Sequence, residues 1–127
     1  MCSGAEASST EPPFADAPTP PRAYESFARI LGPYVRDGLL TLEEAVRPMT
    51  SLSADTLRLV GRGRIRVGAW ADLALFDPDS VQVHATYAHP RRYAAGMHHV
   101  LINGRLVLRD GEPTGELTGR ALRRGVR

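Results

Sequence analysis

From Tyr24 onward, Tyr24, Phe27, Ile30, Leu31, Tyr34 and Val35 recur every three or four residues, which places them on one face of a helix. Gly32-Pro33 falls inside this pattern. A proline removes a backbone donor and crowds the preceding turn, so a kink or an early stop is expected there. Thr41 followed by Glu44 announces a second helix, because this spacing forms a capping box in which each side chain accepts from the other residue's backbone N–H. Leu42, Ala45, Val46 and Met49 form its buried stripe, and Pro48 interrupts it. A further short helix is expected after Ser53, burying Leu57 and stopping at Gly61.

Beyond Gly61 the period changes. Ile65 and Val67 alternate with Arg64 and Arg66, the pattern of a half-buried strand, and Gly63 and Gly68 permit tight turns at its ends. The apolar run Ala71-Asp72-Leu73-Ala74-Leu75-Phe76, closed by Asp77-Pro78, reads as a strand covered on both faces. Val81 and Val83 suggest another short strand. Asn103-Gly104 between Val100-Leu101-Ile102 and Arg105-Leu106-Val107-Leu108 marks a two-residue hairpin, since both residues tolerate the positive φ that its turn requires. Asp110-Gly111 marks the next turn. Residues 1–22, rich in Ser, Thr and Pro, read as a flexible arm. The expected organisation is therefore an arm over 1–22, a helical part over 23–60, and a β segment with a basic tail over 61–127. No internal repeat is visible.

Composition narrows the function classes. The 127 residues, 43% apolar and 24% charged, suit one globular domain. All sixteen positive charges are arginine, and the net charge is only +2. Arg62, Arg64 and Arg66, and Arg120, Arg123, Arg124 and Arg127 in the tail, lack interleaved aromatic residues. They read as solvated surface, with no nucleic-acid partner. The single cysteine, Cys2, cannot close an internal disulfide. With no basic-then-apolar leader and no apolar run of the ~20 residues a membrane span needs, a cytoplasmic location without membrane attachment is expected.

Candidate chemistry is sparse. His98 and His99 are adjacent and would point to opposite faces of a strand, so they cannot easily share a metal. His84 and His89 lack a helical ligand spacing, and all four read as surface or interface histidines. Cys2 has no ordered base beside it, and Ser3 lacks the G-x-S-x-G setting of a nucleophile elbow. Asp72 reads as a turn or strand-edge residue bonding nearby backbone. Gly61-Arg62-Gly63 lacks the Lys-Ser/Thr of a phosphate loop. No catalytic, cofactor-binding or metal-ligating residue is assigned.

Pro21-Arg22-Ala23-Tyr24 and Ser26-Phe27-Ala28-Arg29-Ile30-Leu31-Gly32 are followed by Gly38-Leu39-Leu40-Thr41-Leu42-Glu43-Glu44-Ala45-Val46-Arg47 and Met49-Thr50-Ser51-Leu52. Gly63-Arg64-Ile65, Gly68, Ala71-Asp72-Leu73, Phe76-Asp77-Pro78, Val100-Leu101-Ile102-Asn103-Gly104 and Gly119-Arg120 complete the series. In this order they resemble the C-terminal part of the N-acyl-D-amino-acid deacylases, the D-aminoacylase group of the metal-dependent amidohydrolase superfamily. The resemblance implies an α/β fold in truncated form: the last helices of a (β/α)8-type barrel at residues 23–60, then the C-terminal strands of a small β-sandwich. It also implies zinc in full-length relatives, which polarises an amide carbonyl and activates water for hydrolysis of non-peptide C–N bonds.

The family's metal ligands lie upstream of anything in this chain. Its general-base aspartate, in a Ser-Asp-Ala or Ser-Asp-Gly word, has Gly4 in its place, and a glycine cannot take a proton. Glu6 is two residues removed, a displacement of several ångströms in an extended chain. Thr19-Pro20-Pro21-Arg22 departs from the family's His-Pro-Arg, and Pro33 and Pro48 stand where helix-compatible residues are expected. The expectation is a detached amidohydrolase end, inactive alone. The alternative is a non-catalytic interaction module that self-associates, or joins a separate barrel chain, through exposed β-edges.

Overall fold

The computed structural model describes residues 19–125. Its elements are α1 (Arg22–Arg29), a π-helical segment (Ile30–Tyr34), α2 (Leu42–Met49), α3 (Ser51–Leu57), β1 (Leu73–Phe76), β2 (Met97–Ile102), β3 (Arg105–Arg109) and β4 (Glu112–Pro113). Most of the expected arm, residues 1–18, lies outside the described residues.

The first helix does not stop at Gly32-Pro33. It winds from α1 into the π-helical segment, which contains Pro33, and returns to α-helix at Val35 and Arg36. The wider turn accommodates a ring that would collide with a carbonyl in a regular α-helix. Gly32 makes a second contact possible here. A Cβ on it would lie 2.4 Å from the Val81 carbonyl oxygen, so the 77–85 segment can press directly on the helix backbone. Arg36 Nη1 locks that segment by donating to the carbonyls of Pro78 (2.9 Å) and Val81 (2.7 Å). Val81 is fully buried as a result.

The expected capping box starts α2: the Glu44 N–H donates to Thr41 Oγ1 (3.2 Å) and the Thr41 N–H to Glu44 Oε2 (2.8 Å). Pro48 is held in the last turn, and the chain breaks at Thr50 (φ −125°, ψ −96°). Consequently α3 begins at Ser51, earlier than expected, and ends at left-handed Arg58 (φ 54°) instead of at Gly61. Its buried residue is Ala54, whereas Leu57 is 57% exposed. The packed face is the one Gly63 approaches, where a Cβ would meet the Ala54 Cβ at 2.6 Å; Leu57 lies outside that contact.

The β part forms a four-stranded sheet of order β1-β2-β3-β4, antiparallel throughout. The hairpin stands where expected, with Asn103 (φ 52°) and Gly104 (φ 81°) between β2 and β3, and Asp110 (φ 50°) and Gly111 (φ 83°) make the next turn.

Three strand expectations are corrected. Residues 64–67 are irregular, with Ile65 91% and Val67 106% exposed. No strand among the described residues pairs with them, and Arg64 is drawn to Asp55 of α3 by two hydrogen bonds of 2.8 and 2.7 Å. The 71–76 run contributes only β1, and Leu75 is 58% exposed, because nothing among the described residues covers that face. Val81 and Val83 are not in a strand; a lone bridge joins Gln82 to Ala95.

Among the described residues the buried apolar ones are mostly small: Ala28, Ala45, Ala54, Val81 and Ala85, with Leu31 the one large side chain. Among the described residues, no helix is long and apolar enough to cross a membrane.

Candidate functional site

The best-connected polar cluster joins the 61–72 loop to the hairpin turn. The Arg62 guanidinium is nearly buried and pairs with the Asp72 carboxylate, while its other terminal nitrogen donates to Asn103 Oδ1 (2.6 Å). Asp72 Oδ1 accepts from the Asn103 N–H (2.8 Å). Asn103 Nδ2 donates to the Thr118 carbonyl (2.7 Å), and the Gly104 N–H to Ala71 O (2.9 Å). The guanidiniums of Arg62 and Arg120 lie 5.2 and 4.0 Å from the centroid of the Trp70 ring, within cation–π range. Asp72 does bond backbone, but that of Asn103, 31 residues along the chain, where its sequence setting suggested a neighbouring residue, and it also anchors a cation. Every member is held by another.

A second buried acid is Glu25, 2% exposed. One oxygen accepts from the His84 N–H; the other is buried with no hydrogen-bond partner among the described residues. Glu25 borders a groove of about 580 Å³ together with Arg29 and Tyr34, but the sealed oxygen is out of reach of anything held there. On the surface, the Arg64 guanidinium hydrogen-bonded to Asp55 holds that carboxyl below its ordinary range.

The four histidines are not brought together as a site. His99 Nδ1 accepts from the Asp110 N–H (3.2 Å), His98 is exposed on the same strand, and the His89 N–H donates to Thr86 Oγ1 (3.0 Å). His84 engages Glu25 through its backbone. Among the described residues no group of three or more His, Cys, Asp or Glu could hold a metal ion. Cys2, Ser3, Gly4 and Glu6 lie outside the described residues. The Arg62 and Glu25 contacts escape sequence reading because their partners lie far along the chain, 41 residues for Arg62 and Asn103 and 59 for Glu25 and His84.

Comparison with known proteins adds what the geometry alone does not. The pattern of the amidohydrolase family matches residues 21–113. The chain is 49% identical over 110 residues to the N-acyl-D-glutamate deacylase of Alcaligenes xylosoxydans xylosoxydans, covering 86% of this chain and 22% of that protein. Crystallographic D-aminoacylase superposes with a TM-score of 0.78 at 47% identity, over 82% of this chain and 22% of that one, and has been described as having a binuclear metal centre. The N-acyl-D-glutamate deacylase of Bordetella bronchiseptica, complexed with zinc and a phosphonate inhibitor, superposes with a TM-score of 0.66 at 45% identity, over 73% of this chain and 21% of that one. The chain thus spans about a fifth of the length of the relatives it matches.

Proposed function

The chain belongs to the amidohydrolase family, and from that premise we propose that it is the C-terminal portion of a metal-dependent hydrolase of N-acyl-D-amino acids, supplying framework and none of the reacting groups. The observation that carries this reading is a pairing of two facts: close identity to deacylases over most of this chain but only 22% of their length, and no metal-ligand cluster among the described residues. The described residues offer no cluster that fits zinc.

In this reading α1 to α3 are the last helices of the barrel, with 23–60 as their segment. The sheet is the C-terminal contribution to a small β-sandwich, with 61–127 as its segment. Leu75, Ile65 and Val67, exposed on and beside the sheet, support it, because apolar side chains at such density favour a protein cover. The partner is the metal-bearing remainder of the family fold, seated against that face and the outer edge of β1. Gly4, in the place of the family's base by resemblance, leaves such an assembly short of its proton acceptor.

Mixing the purified chain with a D-aminoacylase polypeptide lacking the corresponding fifth tests the pairing. The expected result is a one-to-one complex in size-exclusion chromatography with light scattering. Two separate monomer peaks at micromolar concentrations would count against it, and a homodimer that ignores the barrel polypeptide would favour the self-associating interaction module instead.

A further inference from the structure

After β4 the chain runs without helix or strand from residue 114 to 125, yet it touches four places in the molecule. The Thr114 N–H donates to Val107 O (3.0 Å) and Thr114 Oγ1 to Leu106 O (2.8 Å), fastening it to β3. Thr118 Oγ1 donates to Ile102 O (3.1 Å), and the Thr118 carbonyl takes the Asn103 side chain. Arg120 then lies over Trp70, and the Gly125 N–H reaches Arg58 O (2.9 Å), the left-handed residue that ends α3. Almost all of these contacts are polar. The large apolar residues of the segment, Leu117 and Leu122, are 99% and 46% exposed.

A segment that buries little apolar surface and is held by a few exposed or half-buried hydrogen bonds belongs to the least stable part of a fold and opens before the rest. We propose that residues 114–125 are a strap that detaches as a unit while the sheet and helices stay folded, and that its docking seals the joint between α3 and the hairpin. Detachment strips Arg120 from Trp70, removes the Thr118 carbonyl from Asn103 and frees the end of α3. The hydrogen bonds of Arg62 and Asp72 to Asn103 and of the Gly104 N–H to Ala71 O are left to tie the 61–72 loop to the hairpin.

Trp70 is the only tryptophan in the chain, so its fluorescence reports the docked strap directly. In native-state hydrogen exchange of the full chain, the Thr114 and Gly125 amides should exchange about ten-fold or more faster than the bonded amides of β2 and β3. In urea, Trp70 emission should shift before far-UV circular dichroism is lost. Arg120→Ala should leave the circular dichroism unchanged, move Trp70 emission and accelerate exchange at Gly125. Thr118→Val, which removes only the side-chain bond to Ile102, should act in the same direction more weakly. Equal protection of the strap and β2–β3 amides, with coincident fluorescence and dichroism transitions, would overturn the proposal. So would an Arg120→Ala variant whose Trp70 emission is unaltered.

Discussion

A D-aminoacylase whose corresponding fifth is exchanged for this chain is expected to hydrolyse N-acetyl-D-amino acids about 10²–10⁴-fold more slowly than its parent, and Gly4→Asp within the exchanged segment is expected to recover most of the loss. The magnitude is that of a positioned general base. The resemblance aligns Gly4 with the aspartate that takes the proton in the family, and a hydrogen has no lone pair to offer. Glu6 is not expected to substitute, because a two-residue offset in an extended chain would displace a carboxylate by ~6–7 Å, beyond the reach of a proton transferred at hydrogen-bond distance. Steady-state kinetics separates this lesion from a misfolded exchange: a missing base lowers kcat and leaves metal content intact, whereas a disordered barrel loses metal. Full activity with Gly4 in place would show that the position is misaligned or that the base lies elsewhere.

The second large effect belongs to Arg62. Arg62→Met should destabilise the chain by about 2–4 kcal/mol in urea unfolding, somewhat less than the loss of one member of a fully buried pair, because the Asp72 side chain is one-third exposed. The loss has three sources. The Asp72 carboxylate loses its cation, Asn103 Oδ1 loses a donor at 2.6 Å, and Trp70 loses one of its two stacked guanidiniums. Adding Asp72→Asn to Arg62→Met removes the stranded charge and should restore part of the deficit, so the two substitutions are non-additive. Additive losses would mean that the pair is not coupled in the folded chain.

What the amino-acid sequence made legible was local. Thr41 and Glu44 are three residues apart, and Asn103-Gly104 needs nothing beyond its own backbone preference, so the cap and the hairpin follow from short-range chemistry. The readings that failed depended on a cover. Ile65 and Val67 alternate as a strand should, and 71–76 is apolar enough for an interior strand, but alternation becomes a strand only where a neighbour supplies hydrogen bonds. The described residues offer none to 64–67. At Pro33 the expected interruption takes one of its two forms: a proline prohibits the regular α-turn, and the helix continues through a wider π turn instead of stopping.

At the candidate site the gap was of the same kind. Asp72 could be recognised as a residue that bonds backbone, but its partner Arg62 belongs to a loop whose course is set by Gly63 packing on Ala54. Nothing in the sequence pattern singles out Glu25, and its burial accompanies the 77–85 segment, whose His84 N–H donates to it. Family membership was legible because many short words kept their order across the chain, and that depends on no single contact.

The central claim, a framework segment without its own metal chemistry, is tested most directly by the zinc content of the purified chain after equilibration with excess zinc and gel filtration. The expected result is well below one zinc per chain. One or two tightly held zinc ions per chain would contradict it.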